Sequence, residues 1–218
     1  MSRPLVLDRH RPTLAEMTAP APRWLKLLLL ALAAAMVIGV LAWRLWPEPE
    51  LEVHVEPSPP AFNFAYGDRL EPVDPDGARG EAVALEERRG SLFVQSFAVR
   101  TFELPAYQGD PAAILPVVAE QERASLQRRF AEFELVGEGK ARINEVPGYE
   151  LAFKARLGER RLLGRVVLLP EPVPGSRHAV ALELLGTPVS GITDARDIGN
   201  NAVLKPPLRS FRFGTERP

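Results

Sequence analysis

The clearest hydrophobic pattern in the chain is an apolar run near its N-terminus. The 17 consecutive residues 27–43 carry no charged side chain. At about 1.5 Å rise per residue, a helix over residues 24–46 is roughly 34 Å long, and about 30 Å is enough to cross the hydrocarbon of a bilayer. The pattern therefore predicts one transmembrane helix over residues 24–46, in contact with the lipid bilayer.

A buried core helix and a cleaved signal peptide are the alternatives for this run. A core helix usually shows a polar face, and no polar side chain occurs between Leu27 and Gly39. The segment Ala31-Leu32-Ala33 fits the small-x-small pattern of a cleavage site, but the apolar run continues to Trp43. Apolar regions of signal peptides are normally about 7–15 residues long. We therefore interpret the run as an anchor, and cleavage stays open.

Aromatic and basic side chains at both ends of the run support an anchor. The three tryptophans of the chain are Trp24, Trp43 and Trp46, and indole rings favour the membrane–water interface. Lys26 and Arg44 lie near the two ends, where long basic side chains can reach the headgroups. We predict that these five residues lie at the membrane interface.

The charges that flank the run predict its orientation. Five basic residues precede residue 27, whereas Arg44 is followed by the acidic residues Glu48, Glu50, Glu52 and Glu56. Basic flanks stay in the cytoplasm. We therefore predict a single-pass protein of the plasma membrane, with a flexible cytoplasmic tail at 1–23 and an extracytoplasmic C-terminal part.

Residues 47–81 combine proline and acidic residues. Seven prolines occur between Pro47 and Pro75, and proline favours extended chain without internal hydrogen bonds. The composition predicts an extended acidic spacer over 47–81. It would hold the domain that follows away from the membrane surface.

From residue 82 onward, apolar residues follow strand-like patterns bounded by glycine and proline. Strands are predicted within 82–88, 90–105, 139–156, 160–170 and 177–186. Short turns between such strands make neighbours antiparallel. The domain over 82–214 is therefore predicted to be α+β, with an antiparallel sheet and two covering helices.

The two helices are predicted within 107–135 and after Thr193. Asp110 can cap the first, and Val118, Leu126, Phe130 and Phe133 form its apolar stripe. The second is predicted to begin at Thr193 or Asp194 and to stop at Pro206-Pro207. An apolar tail with Leu208, Phe211 and Phe213 follows it.

The composition excludes several classes of function. The formal net charge is −1, which does not favour nucleic acid. The chain contains no cysteine, so disulfides, thiol nucleophiles and cysteine-linked lipids are excluded.

Few residues offer catalytic or metal-binding chemistry. The three histidines, His10, His54 and His178, are far apart in the sequence, which does not favour a metal site. Asp74, Asp76 and Glu81 resemble a calcium loop but have too few ligands, and a Pro-Asp-Gly turn explains them better. Asp194 and Asp197 fit the start of a helix better than an acid–base pair. We assign no catalytic, cofactor-binding or metal-binding residue.

The order of elements over 82–214 is similar to that of the PsbP-like superfamily. The segments that carry the resemblance are Val146-Pro147-Gly148-Tyr149 and Ser210-Phe211. This superfamily includes a photosystem subunit, a nuclear Ran-binding factor and actinobacterial lipoproteins of the LpqN/LpqT kind. The chain departs from the lipoproteins because it lacks the lipid-bearing cysteine.

The resemblance implies an α/β/α sandwich that acts as a binding or scaffolding module. We therefore expect a membrane-anchored bacterial protein whose outer domain binds a protein or a small ligand without catalysis or a cofactor. The alternative is an extracytoplasmic enzyme with an acidic site. An acidic pocket would favour the enzyme, and an exposed apolar face would favour binding.

Overall fold

The computed structural model describes residues 22–44 and 50–216. The chain divides into two compact units, Met1–Glu48 and Pro49–Pro218. The first unit contains helix α1 (Arg23–Arg44). By its length and composition, the segment Arg23–Leu41 could cross a membrane, and a signal sequence near an N-terminus has the same properties. Its large apolar side chains from Leu27 to Leu41 are exposed to the surroundings.

The second unit is built on a seven-stranded antiparallel sheet. Its strands are β3 (Glu71–Val73), β4 (Glu81–Arg89), β5 (Leu92–Glu103), β6 (Ala131–Ile143), β7 (Val146–Leu157), β8 (Arg160–Pro170) and β9 (His178–Gly186). Their order across the sheet is β3-β4-β5-β9-β8-β7-β6. The five predicted strand regions correspond to β4 to β9, with β6 and β7 forming one hairpin. The α+β class and the antiparallel sheet are confirmed.

The predicted spacer over 47–81 is corrected by the structure. This segment contains β1 (Leu51–Glu56), β2 (Phe62–Gly67) and β3. Strands β1 and β2 form a second sheet with β10 (Arg212–Phe213), in the order β1-β2-β10. Phe62, Phe64 and Tyr66 are buried in the core. The prolines between β1 and β2 therefore mark a connection, and the alternating apolar residues on either side form strands.

Each face of the large sheet packs on a separate apolar cluster. Helix α2 (Leu115–Arg129) covers one face with Leu115, Val118 and Leu126. The small sheet and helix α3 (Lys205–Ser210) contribute to the cluster on the other face. The second covering layer is thus mainly a sheet with a six-residue helix, where a helix was predicted.

Both predicted helices differ from the structure at their ends. Helix α2 ends before Phe130, and Glu132 adopts a left-handed φ of 50° as the chain turns into β6. Phe133 therefore belongs to a strand. In the closing segment, Pro206 and Pro207 lie in the first turn of α3. A proline is tolerated there because the first N–H groups of a helix have no partner within it, so these prolines begin a helix instead of stopping one.

Candidate functional site

Three neighbouring concavities surround Pro147, at one end of the seven-stranded sheet. Three hollows of about 540, 360 and 570 Å³ all have Pro147 in their walls. Their walls come from the β6–β7 hairpin tip, the β8–β9 loop and the loop between β5 and α2. We name this region the Pro147 cleft. It contains the Val146-Pro147-Gly148-Tyr149 segment that carried the sequence resemblance.

The hairpin tip on one side of the cleft is held in a fixed conformation. Asn144 and Glu145 connect β6 to β7 with φ values of 42° and 71°, as a two-residue turn of type I′ requires. The side-chain amide of Asn144 donates to the carbonyl oxygens of Arg209 and Phe211, at 2.7 and 2.8 Å. These bonds tie the tip to the C-terminal segment and place the Glu145 side chain at the wall of the 540 Å³ hollow.

Gly148 allows β7 and β8 to approach closely beneath the cleft. A Cβ atom at this position would lie 2.6 Å from the carbonyl oxygen of Leu168 and 2.6 Å from Cδ2 of Leu169. Such distances are shorter than van der Waals contact, so any larger residue would force a shift. Gly148 therefore sets the position of Pro147 and Tyr149 on either side of it.

The 360 Å³ hollow has mostly uncharged walls. Its lining includes five prolines, Tyr107, Val146 and Val173, and its acidic residues are Asp110 and Glu171. The Tyr107 hydroxyl donates to the carbonyl oxygen of Ser176 at 2.6 Å, which joins the two loops on either side. Val173 is 53% exposed. The hollow therefore exposes an apolar surface whose two flanking loops are joined by a hydrogen bond.

The 570 Å³ hollow has a more polar wall. Its residues include Asp110, Lys140, Arg142 and Tyr149. Burial raises the pKa of the Tyr149 hydroxyl, and the charges of Glu138 and Glu120 raise it further. Tyr149 is therefore a neutral hydroxyl at pH 7, able to donate one hydrogen bond to a ligand.

Three polar side chains near the cleft do not form a catalytic triad. The Ser176 hydroxyl donates to Oε2 of Glu171 at 2.5 Å. Nδ1 of His178 lies 3.6 Å from the same carboxylate oxygen, which is beyond hydrogen-bond distance. A triad requires a histidine that accepts the serine proton, whereas here the serine hydroxyl is directed to glutamate. This group connects the ends of the β8–β9 loop.

A second concavity lies over the part of the sheet beside α2. We name it the β4–β5 groove; it has a volume of about 400 Å³ and its walls include Ala84, Ser96, Ala98, Arg79, Glu81, Arg129 and Glu183. Both oxygens of Glu183 accept hydrogen bonds from Nη1 of Arg129, at 2.9 and 2.7 Å. Nη2 of Arg79 lies 2.7 Å from Glu81. The buried carboxylates of this groove are therefore neutralised by arginines of the same domain.

Glu122 and Arg100 extend this charged network under α2. The Arg100 guanidinium donates to the Glu122 carboxylate. Burial raises the pKa of Glu122 and outweighs the opposite effect of Arg100, and the negative charge of Glu183 raises the pKa further. The network is therefore one of coupled charges within the fold.

The structure gives local roles to the other polar candidates. Asp76 caps a short 3-10 helix through a bond from the Ala78 N–H at 3.1 Å, and its carboxylate pairs with Arg79. Asp194 caps another 3-10 helix through the Arg196 N–H. Within residues 22–44 and 50–216, no group of three or more His, Cys, Asp or Glu residues could hold a metal ion.

The predicted membrane-interface residues lie in or next to α1. Trp24 is exposed in its first turn. Lys26, Trp43 and Arg44 are part of the same helix. Trp46 lies outside the described residues. The prediction that these five side chains meet a membrane interface stays a prediction.

The fold is similar to several solved structures. CyanoP, the cyanobacterial PsbP of Synechocystis sp. PCC 6803, is 15% identical and covers 78% of this chain and 95% of its own, at a TM-score of 0.48. The Ran-binding protein Mog1p of Saccharomyces cerevisiae is 11% identical and covers 76% and 96%, at a TM-score of 0.48. LpqN, involved in cell envelope biogenesis of Mycobacterium tuberculosis, is 10% identical and covers 78% and 92%, at a TM-score of 0.51.

The likeness to LpqN shows the fold of the domain that follows α1. It confirms the PsbP-like fold that the sequence resemblance implied. No protein-family model matches the chain, and no curated protein matches it.

Sequence reasoning missed most residues of the Pro147 cleft. Tyr107, Asp110 and Val173 come from loops that the topology brings to one end of the sheet. One signal was available, because prolines cluster at 170, 172 and 174 beside a predicted strand. Proline-rich segments are semi-rigid, so this pattern indicates a stiff connection between the two strands.

Proposed function

We propose that this protein is a membrane-anchored accessory protein whose outer domain binds another protein through the Pro147 cleft. The observation that carries the proposal is the exposed, mostly uncharged wall formed by Val173 and the neighbouring prolines. Apolar surface of this kind gains free energy when a partner covers it. We propose a binding function in place of an enzymatic one, because the buried glutamates Glu81 and Glu183 of the β4–β5 groove are paired with arginines.

The proposed location follows from α1 and its flanking charges. An uncleaved α1 would anchor the chain, and its basic N-terminal flank would stay in the cytoplasm. The outer domain would then face the extracytoplasmic side. An envelope role of the kind stated for LpqN is consistent with this location, and we extend such a role to this chain as part of the proposal.

The proposed topology can be tested because the natural chain has no cysteine. Glu159→Cys introduces a thiol at a side chain that is 99% exposed, and Ser2→Cys introduces one in the predicted cytoplasmic tail. We expect a membrane-impermeant maleimide to label the first variant in intact cells and the second only after permeabilisation. If only Ser2→Cys is labelled in intact cells, the chain has the opposite orientation in the membrane. A shortened chain in the carbonate-soluble fraction would show that α1 is cleaved.

The proposed binding site can be tested with two valines of equal exposure. Val173 in the cleft and Val117 on α2 are each 53% exposed. Substitution of an exposed residue typically changes stability by less than about 0.5 kcal/mol. We expect Val173→Glu to reduce the partner recovered from detergent-solubilised membranes by at least about tenfold, equal to about 1.4 kcal/mol of binding free energy. Val117→Glu should leave recovery unchanged, and equal recovery with both variants would contradict the assignment of the cleft.

A further inference from the structure

Strand β1 has its polar and apolar sides reversed relative to the core. Glu52, His54 and Glu56 pair with Tyr66, Phe64 and Phe62 of β2, and directly opposite residues of an antiparallel pair lie on the same side of the sheet. These three phenylalanine and tyrosine side chains are buried in the core. The polar side of β1 therefore faces inward.

The apolar side of β1 consequently faces outward. Leu51, Val53 and Val55 are 45%, 44% and 41% exposed. A strand whose apolar side chains alternate with polar ones normally buries the apolar side. The reversal leaves three apolar side chains in a row without a covering layer in the described domain.

The backbone edge of β1 is also unpaired. Strand β1 is the outer strand of its sheet and pairs with β2 alone. The outer strand of the large sheet, β6, differs from β1, because it exposes charged residues and contains two register irregularities. Charges and bulges protect an edge from pairing with another chain. Strand β1 has no bulge, and its outward side carries three apolar residues, whereas its charged residues Glu52 and Glu56 lie on the side that faces the core.

We propose that β1 pairs antiparallel with β1 of a second copy of this chain, about a twofold axis through Val53. Such an axis perpendicular to the sheet keeps the apolar sides of both copies on the same surface. Leu51 then lies opposite Val55 of the second copy, and Val53 lies opposite its own counterpart. The two sheets would become one continuous six-stranded sheet with a joined apolar surface.

Charge selects this register over its neighbours. With the axis at Val53, Glu52 lies opposite His54 of the second copy. An axis at Glu52 would place two glutamates opposite each other, and an axis at His54 would place Glu52 opposite Glu56. Like charges directly opposite each other destabilise a strand pair. Among these three registers, only the one through Val53 places no two glutamates of Leu51–Glu56 opposite each other, and it sets Glu52 against a potential hydrogen-bond donor; Glu56 then lies opposite Glu50, which precedes the strand.

His54 has a specific use in this pairing. Its Nε2 atom is buried and has no hydrogen-bond partner within the described part of the chain. The ring stacks on Phe64, with 5.3 Å between the ring centroids. Burial lowers the pKa of His54 and outweighs the opposite effect of Glu56. A neutral imidazole carries one N–H, which a carboxylate across the new strand pair can accept.

The absence of natural cysteine makes the register testable by disulfide formation in the full-length chain in native membranes. Opposite residues of an antiparallel pair have Cα atoms about 4.5–5.5 Å apart, within the range that a disulfide spans. On mild oxidation we expect Val53→Cys to form a covalent dimer. Leu51→Cys and Val55→Cys should stay monomeric alone and should cross-link when the two variants are co-expressed. Val117→Cys on α2, where Val117 is 53% exposed against 44% for Val53, is the control.

Several outcomes would overturn the pairing. A monomeric Val53→Cys would exclude contact at the axis, and cross-linking of Leu51→Cys with itself would exclude the register. If Val53→Cys stays monomeric and lipid protects its thiol from a polar maleimide, then β1 contacts the membrane surface and does not pair with a second copy. Val53→Lys provides a second measurement without oxidation. Two ammonium groups would meet at the axis, and we expect chemical cross-linking of the native dimer to fall at least about tenfold, as for a loss of about 1.4 kcal/mol.

Discussion

The Pro147 cleft and the β4–β5 groove are two concave regions of the domain over residues 50–216, and they differ in whether their exposed side chains already have partners within the domain. In the groove, Glu183 is bonded by Arg129, and Glu81 is paired with Arg79. In the cleft, Val173 and the prolines are held in place by a hydrogen bond from Tyr107. Their apolar surfaces remain exposed.

The β4–β5 groove therefore maintains the fold, whereas the Pro147 cleft has surface that a partner could cover. A buried charge already paired within the domain gains little from a ligand, because the ligand would have to replace that pair. Exposed apolar surface gains free energy from any complementary cover. The comparison therefore predicts that substitutions in the groove change stability and that substitutions in the cleft walls change binding.

Glu183→Ala should remove the central ion pair of the β4–β5 groove and have the largest effect on the free energy of unfolding. The Glu183 side chain is 3% exposed, and its removal leaves Arg129 without its bonding partner. Breaking a buried pair costs about 3–5 kcal/mol, and we expect about 3 because Arg129 is partly exposed and can turn toward water. The free energy of unfolding should be measured with urea by far-UV circular dichroism, since every tryptophan lies near α1.

The matched control for Glu183→Ala is Glu159→Ala. Glu159 is also paired with an arginine, Arg156, but it is fully exposed to solvent. Exposed ion pairs contribute about 0–1 kcal/mol, so this variant should unfold near the urea concentration of the natural chain. Equal effects of both substitutions would show that the groove network does not maintain the fold.

Gly148→Ala should alter the Pro147 cleft by displacing the strand that forms its floor. The added methyl group would meet the Leu168 carbonyl oxygen and the Leu169 side chain, and overpacking of this kind typically costs about 1–3 kcal/mol. Partner binding should weaken together with stability because Pro147 and Tyr149 move. Gly139→Ala in β6 is the control, since its added methyl group meets no atom within 4 Å. The measurements are urea unfolding and partner recovery, and an unchanged Gly148→Ala variant would contradict the close approach.

The central strands could be predicted well from the sequence because local pattern and tertiary structure agree there. Strands β8 and β9 coincide with the predicted regions 160–170 and 177–186 almost to the residue. Both are apolar on two faces and are bounded by glycine or proline. No long-range contact is needed to recognise such a strand.

The small sheet and the helix ends could not be predicted, because long-range contacts determine them. Strands β1 and β2 lie among prolines and acidic residues, and their place depends on pairing with β10 near the C-terminus. Phe130 and Phe133 continue the helical spacing of α2, yet the pairing of β6 with β7 takes Phe133 into a strand. The cleft was missed for the same reason, since its walls come from three separate loops.

Glu122→Gln should have the smallest effect, and this effect should depend on pH. The folded state raises the pKa of Glu122 above its ordinary value of 4.5, chiefly through burial. At a pH between the pKa of Glu122 in the unfolded chain and its higher pKa in the folded state, the folded state holds a proton that the unfolded chain has lost. Unfolding therefore releases a proton, and the free energy of unfolding falls as the pH rises. Glutamine does not titrate, and the variant should therefore gain stability relative to the natural chain between pH 4 and pH 7. Glu120→Gln, an exposed position two residues away on α2, is the control. Urea unfolding at both pH values measures the difference, and a gain at pH 4 that disappears at pH 7 would reverse the sign assigned to this group.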